Sequence, residues 1–131
     1  MNNSYAGNDK RRYTRAKTRF IAIYQIEKPL TLRTLIGWNK EINALMMDIS
    51  EGGVCLLTNY DIPAKAKLCI KFVLLYGHND NIEHARLLEA LGEVRYNNFA
   101  REEHRLGVCF TDIASEDRQV IAGFVKRAVD L

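Results

Sequence analysis

The sequence predicts a mainly β fold, a small antiparallel barrel with one C-terminal α-helix packed across an opening. Short apolar stretches, many of them β-branched, recur between turn signals at intervals of roughly ten residues, which is typical of antiparallel strands. The period changes near the end of the chain, where apolar residues recur with the spacing of one helix face. A length of 131 residues suits one domain with a real hydrophobic core.

The predicted strands share β-branched and apolar runs bounded by turn residues. They are, in order, RFIAIYQI, LRTLIGW, INALMMDIS, GVCLLTNY, LCIKFVLLYG and HRLGVCFTDI. Between them, YDIPAKAK is predicted as a connecting loop and GHNDN as a turn. The segment HARLLEALGEVRY fits either a helix or a strand by periodicity, but Gly92 and the Val94–Tyr96 ending favour a strand.

The C-terminal segment SEDRQVIAGFVKRAVDL predicts one amphipathic helix. Ser115 is a favourable N-cap, acidic residues follow it in the first turn, and basic residues lie near the end. The apolar residues that share one face are Val120, Ile121, Phe124, Val125, Ala128 and Val129. We expect this face to pack on the barrel.

Positive charge is concentrated near the N-terminus. The formal net charge is +3, yet KRRYTRAKTRF, residues 10–20, contains six Lys or Arg residues. Because Asp9 is the only acidic residue among the first 20, that arm carries +5 and the remaining chain −2. Such an arm usually meets an anion such as nucleic acid, phospholipid or a phosphorylated ligand. We expect residues 1–9 to form a flexible tail and residues 10–131 to form the domain.

Other features argue against catalysis and against metal binding. The three dispersed cysteines indicate buried thiols in a reducing cytosol rather than disulfides or a zinc site. The three histidines lack ligand spacing, and neither a GxSxG motif nor a Walker loop occurs. There is no apolar signal segment, and the longest apolar run, FVLLY, is too short to span a bilayer. We therefore expect a cytoplasmic, non-enzymatic protein without a metal or cofactor.

The segment DISEGG, Asp48 to Gly53, combines polar side chains with two glycines at a predicted strand end. Strand alternation assigns Asp48 and Ser50 to the outward face. The residues assigned to the core are Leu45, Met47 and Ile49. Gly52 and Gly53 permit a sharp turn and leave the backbone open to a close approach. Taken alone, such a segment is typical of an ordinary turn.

Arg11 and Arg15 lie four residues apart, so their side chains fall on one side of an extended segment or of a helical turn. Guanidinium groups grip phosphate with a planar fork and pair bidentately with O6 and N7 of guanine. Taken alone, a basic arm is most often solvated or makes nonspecific contacts with polyanions.

Together, RRYTR and DISEGG resemble the RxxxR and [D/N]xSxxG signatures of the PilZ domain family. The first motif is Arg11-Arg12-Tyr13-Thr14-Arg15, preceded by Lys10. GEVRY is similar to the family's Gly-x-Val-x-aromatic strand, and HRLGVCFTDIASEDRQVIAGFV is similar to its closing strand and C-terminal helix. The resemblance covers about residues 10–129.

The resemblance implies a barrel of six to seven strands that binds the bacterial second messenger cyclic di-GMP. Arg11 and Arg15 would meet its phosphates and guanine Hoogsteen edges. Asp48 would accept hydrogen bonds from a guanine Watson–Crick edge, which favours base recognition over general polyanion binding. Ser50 and the backbone near Gly53 would add smaller polar contacts. The remaining candidate ligand residues are Lys10, Arg12, Gly52 and Tyr96, the last of which fits either the core or a stacking surface for guanine.

Two details of the implied site stay open. Arg15 and Arg19 also form an RxxxR motif, although the doubled arginine and the preceding Lys10 favour Arg11 and Arg15. In the family, the position of Lys10 influences whether one ligand or a stacked pair is bound.

We expect no output domain beside the barrel, so the resemblance implies an effector protein in motility, pilus or exopolysaccharide machinery. We expect ordering of the N-terminal arm to relay the signal. The alternatives are a barrel that binds single-stranded nucleic acid with the same arm, and a PilZ-like module that binds only protein.

Overall fold

A computed structural model describes residues 13–78 and 81–129 as a closed antiparallel barrel of six strands with two helices. The mainly β fold predicted from the sequence is confirmed. The elements are β1 (Ala16–Lys28), α1 (Leu30–Ile36), β2 (Ile42–Ser50), β3 (Gly53–Thr58), β4 (Lys67–His78), β5 (Asn81–Ala100), β6 (Glu103–Ile113) and α2 (Ser115–Val129). The order around the barrel is β1-β2-β3-β6-β5-β4, and the pairing of β1 with β4 closes it.

Alternating side chains of all six strands fill the barrel interior. Each fully buried aliphatic or aromatic side chain contributes about 1.5–3 kcal/mol relative to an exposed one. Examples from the six strands are Tyr24, Met46, Leu56, Ile70, Leu88 and Leu106. The one phenol among them keeps a partner, since the hydroxyls of Tyr24 and Thr58 lie 2.8 Å apart. Burial raises the pKa of Tyr24 to about 12, so this hydrogen bond persists at neutral pH.

The segment LRTLIGW was predicted as a strand, and this prediction is wrong because the segment forms α1. Pro29 precedes the helix and has no N–H to donate to a strand ladder. Leu32 and Ile36, four residues apart, both pack against the core, which is helical spacing. The helix ends at Gly37, whose φ of 128° suits glycine and whose N–H bonds to the Arg33 carbonyl.

The strict alternation predicted for β2 is also wrong. Met46 is fully buried, whereas Leu45 and Met47 are only partly buried. The reason is a β-bulge between Met46 and Asp48, which pair with successive residues of β3. The extra residue shifts the alternation, so that Ile49 still reaches the core as predicted. Asp48 is half-buried and faces the barrel rim, and Ser50 is buried.

Helix α2 packs against β1 and β2 with the predicted face. Ile121 and Val125 are buried, and the ring of Phe124 lies 6.1 Å from that of Phe20. Arg118 Nη1 donates a 2.8 Å hydrogen bond to the Glu51 carbonyl, which attaches the helix to the β2–β3 turn. Neither helix in the described part of the chain is long and apolar enough to cross a membrane.

Candidate ligand-binding site

A pocket of about 210 Å³ lies where the residues before β1 and the β2–β3 turn meet β5 and β6. Its described lining residues are Tyr13, Arg15, Ser50, Gly52, Arg95, Tyr96, Gly107, Val108 and Cys109. The fold therefore brings four of the candidate residues to one cavity: Arg15, Ser50, Gly52 and Tyr96. Both sequence motifs contribute to this pocket although they are more than thirty residues apart in the chain.

An ion pair joins the two motifs directly. Arg15 Nη1 lies 2.6 Å from Asp48 Oδ1, and the two side chains are 22% and 26% exposed. The pairing of Lys17 with Asp48 across β1 and β2 sets this contact. Arg15 Nε is buried and has no hydrogen-bond partner among the described residues. The guanidinium is therefore held at the pocket by one nitrogen while another buried N–H remains to be satisfied.

The β2–β3 turn depends on its hydroxyl and on its glycines. Ser50 Oγ accepts a 3.1 Å hydrogen bond from the Gly52 N–H, which stabilises the turn. A Cβ on Gly52 would lie 2.7 Å from the Tyr13 ring, and one on Gly53 would overlap the Val108 carbonyl oxygen. The close approach predicted for these glycines is thus to Tyr13 and to the backbone of β6. Gly53 itself does not line the pocket.

Tyr96 lies with its ring against Gly107, where a Cβ would overlap the ring. The tyrosine is exposed and lines the pocket, so it is not a core residue. Partial burial, the neighbouring Cys55 and the nearby Asp48 raise the pKa of Tyr96, while Arg15 lowers it. At neutral pH its hydroxyl is therefore protonated and can donate a hydrogen bond.

Arg95 is a pocket residue to which the sequence assigned no role. Strand alternation places Arg95 and Tyr96 on opposite faces, but a register shift between Val94 and Tyr96 interrupts the alternation. Consecutive side chains therefore line the same cavity. Arg95 is exposed, and its Nε lies 3.1 Å from Glu93 Oε1. The motif GEVRY contained this arginine, but no local signal indicated the bulge.

Asp48 is not among the described lining residues of the pocket, although it pairs with Arg15, which is. Lys10, Arg11 and Arg12 lie outside the described residues. Arg19 is exposed and is not a lining residue, whereas Arg15 is. The choice between Arg11/Arg15 and Arg15/Arg19 therefore stays a prediction.

The described residues contain no group of three or more His, Cys, Asp or Glu that could hold a metal ion. Burial raises the pKa of Cys55, which lies beside Tyr96, and Asp48 raises it further. This thiol is therefore neutral at physiological pH, and the ionic groups of the pocket region are arginines and carboxylates.

Comparison with known proteins places this geometry in a family. The model of the PilZ domain matches residues 9–127. Among solved structures, the inhibitor of motility MotI/DgrA of Bacillus subtilis is 21% identical with a TM-score of 0.71, and the match covers 91% of this chain and 51% of that one. YcgR from Escherichia coli in complex with c-di-GMP is 11% identical with a TM-score of 0.67, covering 93% and 47%.

The PilZ domain of YcgR from Escherichia coli with c-di-GMP is 11% identical with a TM-score of 0.63, and the match covers 93% of each chain. This chain spans about half the length of MotI and of full-length YcgR. No curated protein matches it in sequence. Since the family model covers nearly the whole chain, the protein belongs to the PilZ domain family.

Proposed function

We propose that this protein is a non-enzymatic receptor for cyclic di-GMP and that the ligand binds at the pocket around Arg15. The observation that carries the proposal is the Arg15–Asp48 pair, which joins both motifs beside an exposed aromatic ring. Two of the similar solved structures, YcgR and its PilZ domain, contain c-di-GMP, which supports the choice of ligand.

The chemistry of the pocket suits a dianion that carries guanine bases. Arg15 and Arg95 supply positive charge, and the buried Nε of Arg15 can donate to a phosphate or to a guanine acceptor. Asp48 uses Oδ1 for Arg15, and its second carboxylate oxygen can accept from guanine N–H groups. The ring of Tyr96 offers a stacking surface.

Smaller contacts would come from the β2–β3 turn. Ser50 lines the pocket, and the backbone near Gly52 and Gly53 lies beside it. A pocket of about 210 Å³ is smaller than the roughly 300–1,000 Å³ typical of small-molecule sites. We therefore expect the arm, with Lys10, Arg11 and Arg12, to supply the remaining contacts.

The arm also suggests how the signal is relayed. Its like charges repel one another, and residues 1–17 contain few apolar anchors to oppose their conformational entropy. A dianion that pairs with Arg11 and Arg15 neutralises this repulsion and stabilises the arm on the rim through its higher affinity for that state. Arm, rim and ligand together form a composite surface for an effector. A motility effector is supported by the likeness to an inhibitor of motility.

Calorimetric titration tests the ligand. Cyclic di-GMP should bind the full chain, whereas GMP and a short single-stranded oligonucleotide should bind far more weakly in the same buffer. Equal affinity for the oligonucleotide would replace the proposal with a nucleic-acid-binding barrel. No binding of any of the three would favour a module that recognises only protein.

Hydrogen exchange tests the relay. We expect the amides of residues 8–15, which precede β1, to gain protection when cyclic di-GMP is added, because the ligand ties the arm to the rim. Ala16 and Lys17, which already pair with β2, and helix α2 should change much less. Equal protection of the arm with and without ligand would contradict the relay while leaving the receptor proposal intact.

A further inference from the structure

One side of the barrel is apolar on its outer face as well as on its inner face. We call it the β1/β4/β5 wall, because these three strands are neighbours in the barrel order. Leaving out the strand ends, its outward residues are Ile21, Ile23, Gln25, Cys69, Lys71, Val73, Leu75, Ala85, Leu87, Glu89 and Leu91. Eight of these eleven are apolar, whereas an antiparallel strand with one solvated face normally carries polar residues there.

The wall is open to solvent in the described part of the chain. Ile21 is 62% exposed and Leu87 is 67% exposed, and Val73 and Leu91 are exposed as well. Val73 pairs directly with Leu87 across β4 and β5, and Ala22 pairs with Phe72, so Ile21 continues the same row on β1. A contiguous apolar patch of this kind marks an interaction surface rather than an ordinary barrel exterior.

The two charged residues at the centre of the wall have opposite signs and lie side by side. Lys71 of β4 and Glu89 of β5 are cross-strand partners. Cys69 Sγ donates a 3.4 Å hydrogen bond to Glu89 Oε2, which holds that carboxylate on the wall. Burial and Glu89 raise the pKa of Cys69 to about 11, so the thiol keeps its proton at neutral pH.

We propose that a second copy of this chain covers the β1/β4/β5 wall and forms a two-fold dimer. A two-fold axis that lies in the interface, parallel to β4 and β5 and midway between Lys71 and Glu89, places each residue opposite its counterpart of opposite sign in the other copy. The apolar residues of β4 then face those of β5 in the other copy, so that Val73 meets Leu87, as in two packed sheets. A partner of one predominant charge would match only half of this pattern.

Sedimentation equilibrium of the full chain without nucleotide tests the dimer. From low micromolar to several hundred micromolar, the average mass should rise from one chain towards two. Leu87→Lys should shift the dissociation constant upward at least tenfold. Leu35→Lys is the matched control, because Leu35 is 83% exposed but lies on α1, outside the wall.

A charge exchange tests the two-fold arrangement itself. Lys71→Glu and Glu89→Lys should each weaken self-association, because each places like charges opposite one another. An equimolar mixture of the two variants should associate again, since both cross-pairs are then of opposite sign. Thermal melts of the separate variants report whether each one is folded. If Leu87→Lys does not fold, the charge-exchanged pair still tests whether the wall is the dimer interface.

A monomer at every concentration overturns the proposal and leaves the wall to another occupant, such as the N-terminal arm or a different protein. A dimer that is as sensitive to Leu35→Lys as to Leu87→Lys also overturns it. Failure of the charge-exchanged mixture to associate contradicts the two-fold axis between Lys71 and Glu89.

Discussion

A concave surface lies at each end of β3, and the two surfaces differ in size and in how far their polar groups are hydrogen-bonded. At the start of β3 lies the proposed ligand pocket, which Arg15 lines. Beyond its end lies a larger cleft of about 580 Å³, which we call the distal cleft. Its lining residues are Asp61, Pro63, Ala64, Asn97, Phe99 and His104. Described residues of both sequence motifs line the smaller cavity, which is why we propose the smaller cavity and not the larger one as the ligand site.

The polar groups of the distal cleft satisfy one another. Asn97 Nδ2 donates to Asp61 Oδ1 at 2.8 Å and to the Ile62 carbonyl at 2.9 Å. Asn97 Oδ1 lies 3.0 Å from His104 Nδ1. In the ligand pocket, by contrast, Arg15 Nε stays without a partner among the described residues. A buried donor without a described partner is not sufficient by itself, since Arg33 Nε on α1 is another. At Arg15 it coincides with a pocket that residues of both motifs line, and this combination favours the smaller cavity.

Among the variants that compare the two regions, Arg15→Ala should cause the largest loss of affinity for cyclic di-GMP. Loss of its charge-assisted hydrogen bonds, worth about 1.5–3 kcal/mol, should weaken cyclic di-GMP binding about 10- to 150-fold in calorimetry. The melting temperature should change little, because the ion pair with Asp48 is partly exposed.

Arg33→Ala is the matched control for that variant. Arg33 also has a buried Nε without a described partner, but it lies on α1 over Trp38. Its replacement should leave binding unchanged. An equal loss of affinity in both variants would mean that general positive charge, and not the pocket, attracts the ligand.

Asp48→Ala should chiefly reduce base discrimination. A side chain that reads a base edge contributes about 1–3 kcal/mol, so the ratio of affinities for cyclic di-GMP and cyclic di-AMP should fall about 5- to 150-fold. The salt dependence of binding should change less. Asp61→Ala in the distal cleft should leave the ratio as it is, and an unchanged ratio in Asp48→Ala would remove this residue from guanine recognition.

Tyr96→Ala should weaken binding about fivefold, at the lower end of the roughly 1–3 kcal/mol reported for base stacking, because Gly107 already covers part of the ring. Tyr96→Phe should retain most of the affinity if the ring stacks on a base. Phe99→Ala, at the exposed aromatic ring of the distal cleft, should have no effect on titration. A loss in Tyr96→Phe equal to that in Tyr96→Ala would assign the contribution to the hydroxyl.

Arg19→Ala should have the smallest effect, less than about twofold from long-range charge alone. Arg19 is exposed and does not line the pocket. Arg11→Ala, by contrast, should weaken binding because a contact with phosphate or guanine is lost. Calorimetry of both variants shows whether Arg11 and Arg15 or Arg15 and Arg19 form the binding motif. Full loss in Arg19→Ala together with normal binding in Arg11→Ala would shift the motif to Arg15 and Arg19.

Local patterns by themselves determined most of the architecture. The apolar run LCIKFVLLYG, bounded by turn residues, predicted β4, and helical spacing predicted the face of α2 that buries Ile121 and Val125. The two motifs lie together in the structure, since Arg15 and Ser50 line one pocket and Arg15 pairs with Asp48. That these residues bind the ligand stays a prediction. These signals are readable because the periods of strands and helices repeat within a few neighbouring residues.

Only the tertiary structure decided which way the side chains at the bulges face. Met46 is buried in the core, where Leu45 and Met47 were predicted, and Arg95 lines the pocket together with Tyr96. Both changes come from register shifts, which are set by pairing with β3 and with β6. One inserted residue reverses every later side chain on a strand, and the partner that fixes it is distant in the sequence. The spacing of apolar residues along one strand therefore cannot show where pairing with the neighbouring strand shifts the register.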